Sequence, residues 1–131
     1  MDPVKVVINN CYGGFCLSKE GAKLYEERAG KIFTVFVPRH DPVLVKIVEE
    51  LGTNSYGSSA KLIVVQIPAE FKDCYRIDEY DGTENIDLSS NLLIEHELKQ
   101  LNVATMDPLE CKVVLLRFQK ISETNYYDQM H

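Results

Sequence analysis

Residues 4–9 read Val-Lys-Val-Val-Ile-Asn, and residues 10–15 read Asn-Cys-Tyr-Gly-Gly-Phe. The first segment predicts a β-strand that carries Val4, Val6 and Ile8 on one face, because side chains alternate along a strand. The glycine pair of the second segment predicts a loop, since glycine adopts positive φ without strain. A strand followed by such a loop indicates a fold in which a helix follows the strand and packs on a sheet.

The rest of the chain continues this alternation. Residue patterns and turn signals predict a helix over 19–29 capped by Ser18, a strand over 31–37, a helix over 42–51 opened by Asp41-Pro42, a strand over 61–67, a hairpin of 75–80 and 83–88 around Asp81-Gly82, a helix over 91–101 and a strand over 111–119. We therefore expect one α+β domain, or an α/β one. It would have a mixed sheet of about five or six strands with two or three helices packed on it.

Within this single domain, two parts are expected. Residues 1–88 form a β-α-β-α-β-hairpin core, and residues 89–131 form a helix-strand extension of the same domain that ends in a polar tail.

Composition limits the classes of function. The chain has 131 residues, of which 45% are apolar, which predicts one folded domain. It has 14 Lys and Arg against 20 Asp and Glu, a net charge of −6, so nucleic acid is an unlikely partner. The apolar runs are far shorter than the roughly twenty residues of a membrane span, so no membrane contact is expected. The N-terminus shows no secretory signal, which predicts a protein that is not secreted and keeps its cysteines reduced.

The glycine loop is the candidate binding site. Backbone N–H groups near a helix start can hold an anion, and Tyr12, Gly13, Gly14 and Phe15 with the cation Arg39 would form such a cradle. Neither a dinucleotide-binding nor a phosphate-loop glycine pattern is present. A tight turn that requires two glycines also explains the loop, and it is favoured over a ligand cradle.

Cysteine chemistry is a further alternative. Cys16 lies just before the Ser18 cap, where a thiol pKa can be lowered, and His40 with Asp41 could supply a base and its orienting carboxylate. Cys11 and Cys16 could instead form a redox pair. Zinc is not expected, because the cysteines and histidines lack paired ligand spacing, and no metal or cofactor is predicted. Cys74 and Cys111 are expected to be small buried side chains.

The segment 70–97 is strongly acidic, with nine acids against Lys72 and Arg76. We expect a solvated edge hairpin whose charges prevent edge-to-edge pairing. A cation site is the alternative, although no calcium-loop spacing is present.

Four sequence blocks resemble a known family. They are Lys5-Val-Val-Ile-Asn-Asn-Cys-Tyr-Gly-Gly-Phe15, Arg39-His-Asp-Pro42 with Val48-Glu-Glu-Leu-Gly52, Ala60-Lys-Leu-Ile-Val-Val-Gln-Ile-Pro68, and Ile77-Asp-Glu-Tyr-Asp-Gly82. In this order they resemble an uncharacterised family of small proteins from bacteriophages and large DNA viruses of protists. The resemblance implies a viral origin and a shared fold, and it carries no catalytic residue. The chain departs from the pattern at Cys16, where Ser or Gly is expected, and residues 88–131 lie outside it.

These observations lead to three functional hypotheses. The first is a non-enzymatic viral accessory or assembly protein, in the host cytoplasm or the virion, that acts through protein–protein contacts or self-association. The alternative is a small-ligand or nucleotide-binding module that uses the Gly13-Gly14 loop to sequester a host signal. The ligand would then be a small anion. The second alternative is a cysteine-dependent enzyme.

Overall fold

The computed structural model describes residues 2–101 and 106–129. In this part the elements, in chain order, are β1 (Val4–Asn9), α1 (Lys19–Ala29), α2 (Pro42–Leu51), β2 (Leu62–Ile67), β3 (Arg76–Tyr80), β4 (Thr83–Asp87), α3 (Ser90–Lys99) and α4 (Pro108–Glu123). Strands β1 and β2 form one antiparallel ribbon, and β3 and β4 form another. The prediction of an α+β protein is confirmed.

The β1–β2 ribbon lies between two hydrophobic cores. Its register runs from Val4 opposite Ile67 to Asn9 opposite Leu62. One face carries Val6 and Ile8, as the alternation of β1 predicts, and the other face carries Val7. Both faces are buried, so the ribbon needs a cover on each side.

The two covers come from different parts of the chain. The Val7 face packs against α1, α2 and the loops beside them, and its buried side chains are Leu17, Tyr25, Val37, Leu44, Val45, Ile47, Val48 and Leu62. The Val6 face packs against the β3–β4 hairpin, α3 and the end of α4, and its buried side chains are Ile67, Phe71, Ile86, Leu88, Leu92, Leu93, Ile121 and Tyr126.

The caps of the first two helices are as predicted. The Ser18 Oγ accepts a hydrogen bond of 3.0 Å from the Gly21 N–H, which satisfies one of the free donors at the start of α1. The Asp41 carboxylate accepts one of 2.8 Å from the Val43 N–H at the start of α2. Both helices therefore begin and end at the predicted residues.

The Asp81-Gly82 hairpin is also confirmed. Tyr80 pairs with Thr83, so the connection has two residues. Asp81 and Gly82 both have positive φ, at 55° and 91°, which is the backbone that matches the twist of the flanking strands.

The prediction of one sheet with five or six strands is wrong, and residues 31–37 give the first reason. They form a loop, not a strand. The free edge of β1 is already occupied: the Val7 N–H donates to the Arg39 carbonyl at 2.9 Å, and the Asn9 N–H donates to a Glu84 carboxylate oxygen at 2.7 Å. These two donors of β1 are therefore not available to a third strand.

The predicted strand over 111–119 is wrong for a different reason, because these residues lie in α4. Asp107 accepts a hydrogen bond of 2.8 Å from the Glu110 N–H, and Pro108 occupies the first helical turn. The run Val-Val-Leu-Leu at 113–116 resembles a buried strand because four apolar residues follow one another. In the helix, these residues point to different sides. The C-terminal extension is therefore helix-helix, not helix-strand.

Among the described residues, no helix has the length and apolarity needed to cross a membrane.

The buried hydroxyl of Tyr25 makes stability depend on pH at the alkaline end. Burial, with the hydrogen bond to Asp41 and the charge of that carboxylate, raises the pKa of Tyr25 to about 12. An unfolded tyrosine ionises near pH ~10, so the folded state retains a proton that the unfolded state loses. We expect the free energy of unfolding to fall between pH ~10 and ~12, and to fall less in Y25F. Urea titrations of both proteins measure this, and identical pH slopes would contradict it.

Candidate functional site

The Gly13-Gly14 loop lies directly against the hairpin turn. A Cβ placed on Gly82 would stand 2.5 Å from the Gly13 nitrogen and 2.6 Å from the Gly14 nitrogen. A Cβ on Gly13 would collide with the Ser59 carbonyl oxygen. Three segments that are distant in sequence therefore meet at backbone contact. Glycine is required at Gly82 because a Cβ would meet the Gly13-Gly14 backbone, and at Gly13 because a Cβ would meet Ser59.

Asn9 holds these segments together from inside. It is fully buried, and its side-chain amide nitrogen donates to the carbonyls of Cys11 at 2.8 Å and Gly82 at 2.7 Å. Its side-chain oxygen accepts from the Lys61 N–H at 2.8 Å. All the hydrogen-bonding groups of this amide are therefore used by backbone, which fixes the glycine loop, the hairpin turn and the start of β2 relative to β1.

A buried ion pair lies beside Asn9. The Arg39 guanidinium donates two hydrogen bonds to the Glu84 carboxylate, Nη1 to Oε1 at 2.6 Å and Nη2 to Oε2 at 2.8 Å. Glu84 is only 6% exposed. The guanidinium carbon lies 3.5 Å from the centre of the Phe15 ring. We name Asn9, Phe15, Arg39 and Glu84 the edge cluster, because it closes the free edge of β1.

The structure brings some of the candidate ligand-binding residues together. Phe15 and Arg39 are in contact, and Gly13 and Gly14 lie in the adjacent loop, whereas the Tyr12 ring is largely exposed. Arg39 directs two donors at Glu84, so an anion at this place would compete with a buried carboxylate. Anionic ligand binding stays a prediction, and the Arg39–Glu84 ion pair opposes it because Arg39 is already engaged.

Sequence reasoning missed Asn9 and Glu84. Glu84 was assigned to a solvated acidic hairpin, yet it is buried and paired with Arg39 across 45 residues. Asp87 is also engaged: burial alone would raise its pKa, but hydrogen bonds from Ser89 and Tyr127 outweigh burial and hold the pKa below its usual value. The one sequence signal for the burial of Glu84 is its place two residues before Ile86, which puts both side chains on the same face of the strand.

The proposed catalytic triple is divided among other contacts. The Asp41 oxygens accept from the Val43 N–H and from the Tyr25 hydroxyl at 2.8 Å each. His40 instead shares a hydrogen bond of 2.8 Å between its Nδ1 and the Tyr75 hydroxyl. Cys16 is exposed, and its thiol contacts the Leu17 carbonyl oxygen at 3.3 Å. In this arrangement Asp41 orients Tyr25 and the start of α2, while His40 pairs with a phenol.

The other three cysteines are only partly enclosed by the fold. Cys11, Cys74 and Cys111 are partly buried, not fully buried as expected for Cys74 and Cys111. Burial, with the nearby charges of Asp73 and Glu97, raises the pKa of Cys74 to about 11, which disfavours the nucleophilic thiolate. Over residues 2–101 and 106–129, no group of three His, Cys, Asp or Glu is placed to hold a metal ion.

Helix α4 carries the most distinctive surface. One side contacts α3 and the core, and it consists of Cys111, Val114, Phe118 and Ile121 at spacings of three and four residues. About half a turn away lie Leu109, Val113 and Leu116, which are 71%, 58% and 58% exposed. We name these three residues the outer stripe. The helix is therefore apolar on two opposite sides, and only one side is covered by described residues.

Two further apolar surfaces are exposed. Leu115, Leu98, Val114 and Phe118 line part of a groove of about 270 Å³ between α3 and α4. In the loop over 31–37, Ile32 and Phe36 are exposed, Phe36 to 90%. This loop is anchored to the fold by Phe33, whose ring packs against the rings of Phe15 and Tyr25 at centroid distances of 6.0 and 5.4 Å.

Removal of the Glu84 charge is expected to destabilise the fold more than removal of a charge from a surface ion pair. In E84Q, the guanidinium of Arg39 stays buried without its counter-charge, and we expect a loss of about 3 kcal/mol in the free energy of unfolding. E49Q is the matched control, since Glu49 pairs with Lys5 at 2.8 Å on the surface and its loss costs at most about 1 kcal/mol. Urea denaturation measures both. Equal losses would show that Arg39–Glu84 behaves as a surface pair.

The glycine contact predicts a second difference. G82A introduces a Cβ into the backbone of the Gly13-Gly14 loop and strains a positive φ, so we expect a loss of about 2 kcal/mol or more. G57A is the control, because a Cβ at Gly57 would meet open space, and it should change stability by less than about 0.5 kcal/mol. Thermal unfolding followed by circular dichroism compares them. A G82A protein as stable as G57A would mean that the loop moves freely from the turn.

Comparisons with protein-family models, curated proteins and solved structures found no match for this chain.

Proposed function

We propose that the chain is a non-enzymatic protein of viral origin that acts through protein–protein contacts made by the outer stripe of α4. The single observation that carries this proposal is the pair of opposite apolar sides on that helix. A surface helix normally turns one apolar side to the core and polar residues to the water, so a second apolar side calls for another contact. A contiguous exposed apolar surface marks an interaction site in a folded protein.

The energetics of the outer stripe support the same function. Fully burying an exposed Val or Leu side chain is worth roughly 1.5–3 kcal/mol, and a partner can supply the larger part of this at Leu109, Val113 and Leu116 because they are 58–71% exposed. That gain is the usual source of affinity at the centre of an interface, where a few apolar anchors dominate. Charged residues such as Glu110, Lys112 and Arg117 surround the stripe, and a polar rim around an apolar centre is the normal anatomy of a protein interface.

The polar residues support a structural role rather than catalysis. Within the described residues, every buried side-chain nitrogen or oxygen has a hydrogen-bond partner. The buried polar side chains Asn9, Ser55 and Glu84 all bond to groups that hold the fold. The edge cluster therefore serves to rigidify the domain that presents α4.

The viral origin rests on the resemblance of residues 5–86 to small phage and protist-virus proteins. Helix α4 lies outside these blocks. The proposal therefore assigns the shared blocks to the scaffold and the interaction surface to a segment particular to this chain. The protein would act where viral components assemble, in the host cytoplasm or in the virion.

Site-specific photocrosslinking tests this function. A benzophenone side chain placed at Val113 should yield a covalent adduct with a protein in cells that make the chain. The same group at Lys23, on an exposed side of α1, should yield none. The adduct should also disappear when L116E is added, because a charge in the stripe prevents desolvation of the contact.

The control separates contact from chance collision. Adducts of equal yield at Val113 and Lys23, or an adduct that persists in L116E, would contradict an α4 interface. Absence of any adduct at Val113 and Leu116 would remove the proposed function.

A further inference from the structure

We propose that the partner of α4 is α4 of a second copy, packed antiparallel about a two-fold axis. This inference rests on the proposed function and deepens it by naming the partner. It is carried by the order of apolar and charged residues along the helix, which is complementary to itself when reversed.

The apolar positions fit helix pairing. Leu109, Val113 and Leu116 are spaced by four and three residues, which is the spacing of the seam of a two-helix coil. In an antiparallel pair whose axis passes between residues 114 and 115, Val113 packs against Leu116 of the second copy, and Leu116 against its Val113. Leu109 then faces the aliphatic stem of Lys120, which can cover it while the ammonium group stays in water.

The flanking charges agree with the same register. Glu110 and Arg117 both follow directly after a seam leucine, so they lie on the same flank of the stripe. Residues at this flanking position meet each other across an antiparallel pair. With the axis between residues 114 and 115, Glu110 faces Arg117 of the second copy, and the symmetry makes this ion pair twice. Lys112 faces the neutral Gln119 on the other flank.

The parallel arrangement lacks this complementarity. There, Lys112 of one helix would face Arg117 of the other, which places two cations together. Like charges at such positions disfavour the pairing. The charge order therefore selects the antiparallel arrangement, and an isologous interface of this kind closes at two copies.

Arg117 keeps the capacity for a second carboxylate. It binds Glu97 through Nε at 3.1 and 3.2 Å and through Nη2 at 2.7 Å. These bonds do not use Nη1, and a guanidinium has donors for two carboxylates.

Analytical ultracentrifugation of the full chain tests the inference. We expect the wild-type protein to sediment at twice its 14.9 kDa mass at micromolar concentration, and L116E to sediment as a monomer. L115E is the matched control, because Leu115 is 67% exposed on the same helix but lies off the seam. L115E should remain a dimer, and circular dichroism should show both variants folded.

Charge reversal tests the antiparallel register. E110R and R117E each place like charges at both symmetric contacts, and we expect each to weaken the dimer about tenfold or more. The double variant E110R/R117E restores opposite charges across the axis and should recover wild-type affinity. It cannot restore the intrachain bond to Glu97, so recovery reports the contact between copies.

Each outcome has a distinct meaning. A wild-type monomer at about 100 µM would overturn the inference, while photocrosslinking at Val113 to a different protein would leave the proposed function standing. A dimer that L115E breaks and L116E does not would place the interface in the α3–α4 groove and overturn the inference. A dimer that the double charge reversal fails to restore would overturn the antiparallel register.

Discussion

The carboxylate of Glu84 takes the place of a third strand beside β1, and the rest of the fold depends on this contact. It accepts the Asn9 N–H at 2.7 Å, while the Arg39 carbonyl accepts the Val7 N–H at 2.9 Å. An unpaired strand edge attracts other strands, and here side-chain and loop groups satisfy it. The Arg39 guanidinium neutralises the buried carboxylate, so the hairpin is fastened to the ribbon without widening the sheet.

A two-stranded ribbon with both faces covered exposes little sheet surface, so the helices provide the outer surface. Helices α1 and α2 each have one apolar side, and a single hydrophobic core covers it. Helix α4 has two apolar sides and only one core to contact, which leaves Leu109, Val113 and Leu116 exposed. The buried polar side chains are engaged in holding the fold together, and α4 carries exposed apolar residues on the side that faces away from the core.

Local sequence signals predicted the elements whose ends are decided locally. Ser18 and Asp41-Pro42 place the starts of α1 and α2 because the cap bonds span two or three residues. Asp81-Gly82 places the hairpin because only certain residues accept positive φ there. Residues 31–37 and 111–119 were wrongly predicted as strands, since an apolar run indicates burial without indicating its period. The Asp107-Pro108 cap, read with its downstream spacing, was the stronger signal for α4.

The sequence by itself determined the helix caps, the hairpin turn, the alternation of β1 and the α+β class, because each depends on neighbours within a few residues. The tertiary structure alone decided the partner of Arg39, the burial of Glu84 and Asn9, and the contact of Gly82 with Gly13. It also decided which apolar side of α4 is covered. These features depend on groups that lie tens of residues apart in the sequence. Such groups become partners only when the folded chain brings them together, so no local pattern indicates the pairing.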